Sequence, residues 1–138
     1  MQIAKGLIIL LIAVIVISCF YPWVTIESKN IVVTGFASEG TNFGKPAIFH
    51  LFLCLIYLLF ISLRSNWSKR AAFFISGFNI AWAIRNFIVI STCNGGICPT
   101  KHAALYILLA SSLLILILTL FVKAEDKENT NLISNKME

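Results

Sequence analysis

The stretch AAFFISGFNIAWAIRNFIVI, Ala71–Ile90, is twenty residues long, and its polar side chains are Ser76, Asn79, Arg85 and Asn86. A helix needs about 20 mostly apolar residues to cross a hydrocarbon core. This segment meets that length while carrying an arginine in its outer half, so it raises both the fold and the site in one place. Three further apolar runs surround it: GLIILLIAVIVISCFY at 6–21, PAIFHLFLCLIYLLFISL at 46–63, and the run at 103–122. Backbone polar groups in lipid must be satisfied within each segment, which leaves the helix as the spanning form. The expected fold is an all-α membrane protein, a four-transmembrane-helix bundle occupying residues 1–123.

Composition agrees. Hydrophobic residues make up 59% of the 138-residue chain and charged residues 12%, with mean hydropathy +0.89. A soluble domain is about 25% charged. The net charge of +5 would suggest nucleic acid in a soluble protein. Here the basic residues flank apolar runs, no basic-aromatic patch is present, and nucleic-acid binding is excluded as a function class.

Charge also sets the orientation. RSNWSKR, the second connection, carries Arg64, Lys69 and Arg70 without an acid; Lys5 precedes the first helix, and Lys123 and Lys127 follow the fourth. The other two connections hold Lys29, Lys45 and Lys101 against Glu27 and Glu39. The positive-inside rule then places both termini in the cytoplasm of a multi-pass inner-membrane protein. Tyr21 and Trp23 mark the outer edge and Trp67 the inner one. Residues 124–138, AEDKENTNLISNKME, are polar without apolar periodicity and read as a flexible cytoplasmic tail.

The outer loop at 23–45 contains VTIES and IVVTGF, β-branched runs separated by Lys29-Asn30, which predicts a small β-hairpin. It must pack on the helix ends, because an isolated hairpin is marginal in water. Pro46 follows at a favourable first-turn position for helix two. A competing reading concerns VISC, Val16–Cys19, which fits a lipobox behind a signal-length apolar stretch. On that reading the chain is cut before Cys19 and anchored by lipid there. The apolar FYPWV that follows favours an uncleaved helix.

STCNGGICPTKHAA, Ser91–Ala104, is the other outer connection. Four residues separate Cys93 from Cys98 and two of them are glycine, so the chain can double back to disulfide range. The outer side is an oxidising compartment in a Gram-negative cell. Two thiols plus His102 fall short of the four ligands of a structural metal site, and C-x-x-C spacing, usual for redox enzymes, is absent. A structural disulfide is the expectation. Cys19 and Cys54, inside apolar helices, read as small packing hydrophobes.

Asn79, Trp82, Arg85 and Asn86 fall within roughly 120° on a helical wheel. An arginine more than one turn inside the membrane faces the protein interior or water. Two readings stand. Arg85 clamps the outer loop by pairing with Glu27 or Glu39; or it floors an outer-leaflet pocket for an anionic or carbonyl-bearing ligand, completed by His50 and Tyr106 at similar depth.

YPW after helix one, TGF and FGKP in the first loop, AWAIRN in helix three and a short cysteine loop before helix four resemble small four-helix inner-membrane proteins of bacteria. The resemblance covers most of residues 1–123 and implies architecture and location, with no activity. The chain is also similar in outline to claudin-type proteins, with four helices and a β-rich first loop, but lacks their Trp-Gly-Leu-Trp-Cys-Cys signature. It further resembles four-helix quinone-coupled disulfide oxidases in its outer cysteine pair and Arg85. That resemblance implies a thiol–quinone oxidoreductase using Cys93, Cys98 and a quinone; the C-x-x-C motif and a second outer pair are missing.

No serine-histidine-acid set, paired intramembrane carboxylates or phosphate loop occurs in the sequence, which argues against hydrolases and ion-coupled transporters. The expected function is a non-enzymatic accessory or small-ligand/lipid-binding factor, working on its outer side, whose partners are the lipid bilayer and either another membrane protein or a lipid-like ligand. No cofactor or metal is expected.

Overall fold

Four helices and a small sheet follow one another in the order α1 (Gln2–Ser18), β1 (Pro22–Ile26), β2 (Ile31–Thr34), α2 (Pro46–Ser62), α3 (Asn66–Ser91), β3 (Thr100–Lys101) and α4 (Ala103–Met137). The computed structural model describes residues 2–38, 40–63, 65–93 and 95–137, with backbone alone for residues 2 and 123–137. Two helical stretches, Asn66–Ser91 and Ala103–Val122, are long and apolar enough to cross a membrane; Ile3–Ser18 and Pro46–Ser62 are shorter apolar helices. α1 packs on α4, α4 on α3, α3 on α2, and α2 touches α1, which closes a ring.

Helix ends differ from the sequence reading for identifiable reasons. The first helix stops at Ser18 rather than Tyr21, because Pro22 disfavours helix at the residue before it. The indole Nε1 of Trp23 then donates to the Ser18 carbonyl at 2.9 Å and satisfies one of the helix's last acceptors. At the second connection the helix begins at Asn66, so Lys69 and Arg70 lie in the first turns of α3 instead of in a loop. The segment 124–138, expected as a flexible tail, continues α4 to Met137. No glycine or proline interrupts that run, and Ala124, Glu125, Lys127 and Glu128 are good helix formers.

The predicted hairpin forms. β1 and β2 are antiparallel with Ile26 opposite Ile31, and a single 3-10 turn at Glu27–Lys29 joins them. Asn30 closes the turn in the left-handed conformation, φ 50°, which asparagine tolerates better than most residues. The sheet has a third member that was not expected. β3 pairs antiparallel with the other edge of β1, giving the order β2-β1-β3. His102 N–H donates to the Trp23 carbonyl at 2.8 Å, and Thr25 Oγ1 lies 2.7 Å from His102 Nε2.

One glycine fastens the sheet to the helices. Gly35 donates its N–H to the Cys19 carbonyl at 3.1 Å, and its own carbonyl accepts from Ala47 N–H at 2.9 Å. A Cβ at this position would sit 2.8 Å from the Ala47 Cβ and 2.9 Å from the Cys19 oxygen. The end of α1, the end of the hairpin and the start of α2 therefore meet at one level. Trp23, Val24 and Val33 of the sheet share one buried cluster with Ile8, Ile12, Ile15, Ile90, Leu105 and Leu108 of the helices.

Small and polar side chains lie between the helices. The buried face of α3 reads Ser68, Ala72, Ser76, Asn79, Ala83, Asn86 and Ile90. Large apolar side chains point away: Phe74, Phe78, Ile84 and Ile88 on α3, Phe52, Leu55 and Leu59 on α2, Leu113, Leu114 and Leu120 on α4. Small residues let helix backbones approach closely. Buried hydroxyls meet their needs locally, with Ser112 donating to Leu108 O at 2.9 Å and Thr119 to Ile115 O at 2.6 Å.

Candidate functional site

The polar residues singled out on helix three separate into two groups. Asn79 is buried and receives a 2.6 Å hydrogen bond from His50 Nδ1 on α2. Because Asn79 Oδ1 can only accept, Nδ1 carries the proton of this hydrogen bond. Asn79 Nδ2 points at the Cys54 sulfur, 4.0 Å away. His50 is fully buried, and its Nε2 has no hydrogen-bond partner among the described residues. Lower in the same interior, Tyr57 and Thr119 share a 2.7 Å hydrogen bond between α2 and α4.

Trp82, Arg85 and Asn86 form the second group. The Trp82 indole donates to the Pro46 carbonyl at 3.2 Å, and its ring centroid lies 4.4 Å from that of Phe49. The Arg85 guanidinium sits 4.8 Å from the centre of the same indole, within cation–π range. It also donates to Asn86 Oδ1 at 3.4 Å. Asn86 is buried with its Nδ2 unpaired among the described residues, whereas Arg85 is exposed.

The pocket expected from these residues does not assemble as one site. His50 and Asn79 pair inside the helices; Trp82 and Arg85 are together at the rim, while Asn86 is buried. Tyr106 is half exposed on α4, its ring 5.4 Å from Phe87, and lines a shallow apolar groove with Ile80 and Ile84. Arg85 is also placed relative to α2. Trp82 touches Pro46, the first residue of α2, so α3 runs about 14 Å past the start of α2 at 1.5 Å per residue. Arg85 lies about one turn outward of Pro46, on this geometry.

The clamp to the outer loop is not formed by Glu27, which instead accepts from the Thr100 hydroxyl at 3.5 Å. Glu39 lies outside the described residues. Cys93 and Cys98 form the expected disulfide, with Cα atoms 4.2 Å apart. Cys19 and Cys54 are free and buried, and no cluster of three metal-ligating side chains occurs among the described residues.

Above the helices lies a cleft that the sequence did not reveal. It has a volume of about 250 Å³ and opens between the hairpin, the loop at 40–43, the end of α3 and the stapled loop. Its lining includes the apolar Ile26, Phe43, Ile90 and Ile97 and the polar Lys29 and Asn42. These residues come from four separated segments with no shared spacing, so no local pattern could have grouped them. The disulfide fixes the loop that supplies Ile97. The arrangement suits a small molecule with an apolar body and one anionic or hydrogen-bonding end. Comparison with protein-family models, curated proteins and solved structures finds no match.

Proposed function

We propose that the chain is an integral protein of a bacterial inner membrane, a four-helix bundle in which every helix spans the bilayer, with both termini cytoplasmic. It acts as a non-enzymatic accessory factor that binds a small lipid-like or amphipathic ligand on its outer side. The cleft under the hairpin is the observation that carries the binding reading: it combines apolar walls, a lysine in its lining and a wall stapled by Cys93–Cys98.

The spanning reading draws on the distribution of side chains. Helices of a water-soluble protein turn their large apolar residues inward; here Phe52, Leu55, Phe74, Phe78, Leu113 and Leu120 face outward while Ser76, Asn79 and Ser112 are buried. α1 and α2 have 17 residues each, about 25 Å of helix and the short end of the spanning range. Lys69 and Arg70 at the start of α3 support a cytoplasmic position for that end.

Ile97→Glu tests the cleft, since Ile97 is partly exposed and a carboxylate there would oppose an apolar ligand. Native mass spectrometry after gentle detergent extraction should show a small molecule retained by the wild type and lost from the variant at unchanged thermal midpoint. Equal retention by both proteins would remove the cleft as the site.

A further inference from the structure

Arg85 is exposed on the outward face of α3, and the described residues give its guanidinium one long hydrogen bond and one aromatic ring. A guanidinium carries five N–H donors in a planar fork that matches phosphate, so most of them lack a protein acceptor here among the described residues. On the four-span reading, Pro46 opens a spanning helix, and Arg85 one turn outward of it stands at the depth of lipid headgroups. Lys45, exposed, immediately precedes Pro46, which brings a second cation to the same end of the α2–α3 seam.

Below Arg85 the same face is apolar. At about 100° per residue, Ala81, Phe78 and Phe74 lie within roughly 40° of Arg85 on the helical wheel. All three are exposed. Trp82 and Phe49 flank this strip, the indole held by its hydrogen bond to Pro46. The surface thus has the profile of one phospholipid: a cationic head site and an apolar track running into the hydrocarbon.

We propose that Arg85, with Lys45, binds the phosphodiester of an anionic outer-leaflet phospholipid whose acyl chain lies along Phe78 and Phe74. The site is separate from the cleft under the hairpin and rests on the four-span reading. Arg85 supplies two parallel N–H donors to the phosphate, Lys45 supplies charge, and the Trp82 ring, 4.8 Å away, holds the guanidinium beside the helix.

The test is native mass spectrometry of the full-length protein in detergent, titrated with phosphatidylglycerol, phosphatidylcholine or inorganic phosphate. One phosphatidylglycerol should be retained at least 10-fold more strongly than phosphatidylcholine, and inorganic phosphate should not displace it. Arg85→Gln should lower retention about 10-fold, Lys45→Gln less, and Arg85→Lys should recover part of it. Ala81→Glu provides a second route, placing a carboxylate one turn below the guanidinium at an exposed position; it should also abolish retention while the thermal midpoint holds. Equal retention of the two lipids, or retention unaffected by Arg85→Gln and Ala81→Glu, would overturn the proposal, as would displacement by inorganic phosphate. Cysteine labelling of the two loops reports the four-span reading independently, so a failure there is distinguishable from a failure of lipid binding.

Discussion

His50 on α2 and Asn79 on α3 are joined by a 2.6 Å hydrogen bond buried away from solvent. The pair fixes the rotation of one helix against the other, because each side chain has a partner in a single register. Removing one member leaves a buried polar group unpaired, which costs about 1–3 kcal/mol. Asn79→Leu should therefore lower unfolding stability in detergent by that amount, whereas His50→Leu combined with Asn79→Leu should recover a large part of it. Additive losses in that double-mutant cycle would show that the two residues do not act together.

Gly35 is the tightest point of the junction between sheet and helices. Gly35→Ala forces a methyl group against the Ala47 Cβ and the Cys19 carbonyl, and overpacking of this kind costs about 1–3 kcal/mol. A Cβ at Gly77, in α3, would meet nothing within 4 Å. Gly77→Ala should be neutral or stabilise by up to about 1 kcal/mol through helix propensity. Thermal midpoints measured side by side should fall for Gly35→Ala and hold or rise for Gly77→Ala.

Cys93 and Cys98 close a short loop, for which the chain-entropy model gives about 2 kcal/mol of stabilisation. Cys93→Ser with Cys98→Ser should lower stability by about that figure and weaken ligand retention in the cleft, since Ile97 lies inside the closed loop. Thiol trapping followed by mass spectrometry should find the pair oxidised throughout, with or without added quinone. Rapid cycling between the two states would instead favour a thiol–quinone oxidoreductase.

Topology can be read with two single cysteines. Asn66 and Ser28 are exposed, Cys19 and Cys54 are buried, and Cys93 and Cys98 are paired, so the background is quiet. A membrane-impermeant maleimide applied to spheroplasts should label Ser28→Cys and spare Asn66→Cys until the membrane is opened. Labelling of Asn66→Cys from outside would invert or break the proposed arrangement. Ser68, although in the same turn, is unsuitable because its side chain is buried.

The parts of the fold that were legible in the sequence are those with a local cause. Apolar runs announced the helices, and β-branched runs around Lys29-Asn30 announced the hairpin. β3 was not legible: Thr100–Lys101 is too short for any periodicity, and its pairing is decided by Trp23 and His102 across the fold. The helical continuation to Met137 was missed because a polar run without periodicity gives no packing signal, even when its residues favour helix.

The site was half legible. A wheel grouped Asn79, Trp82, Arg85 and Asn86, yet a spread of roughly 120° covers both the inward face and its rim. α3 has neighbours on part of its circumference, so Asn79 and Asn86 turn inward while Arg85 turns out. Similar depth along a helix does not fix the direction around it: His50 is buried and Tyr106 is half exposed. Helix lengths alone did not show that α3 runs past the start of α2.

The central strand of the sheet takes its two neighbours from opposite ends of the chain's history. Thr25 and His102, which meet across it, are 77 residues apart. If the chain is inserted as proposed, the hairpin reaches the outer side early and waits with one edge unpaired until the last connection has been translocated. An open strand edge invites pairing with other chains. Completion of the sheet is therefore a late checkpoint of biogenesis, reached after three helices are already in the bilayer, and a nascent chain truncated before residue 100 should be a ready substrate for membrane quality-control proteases.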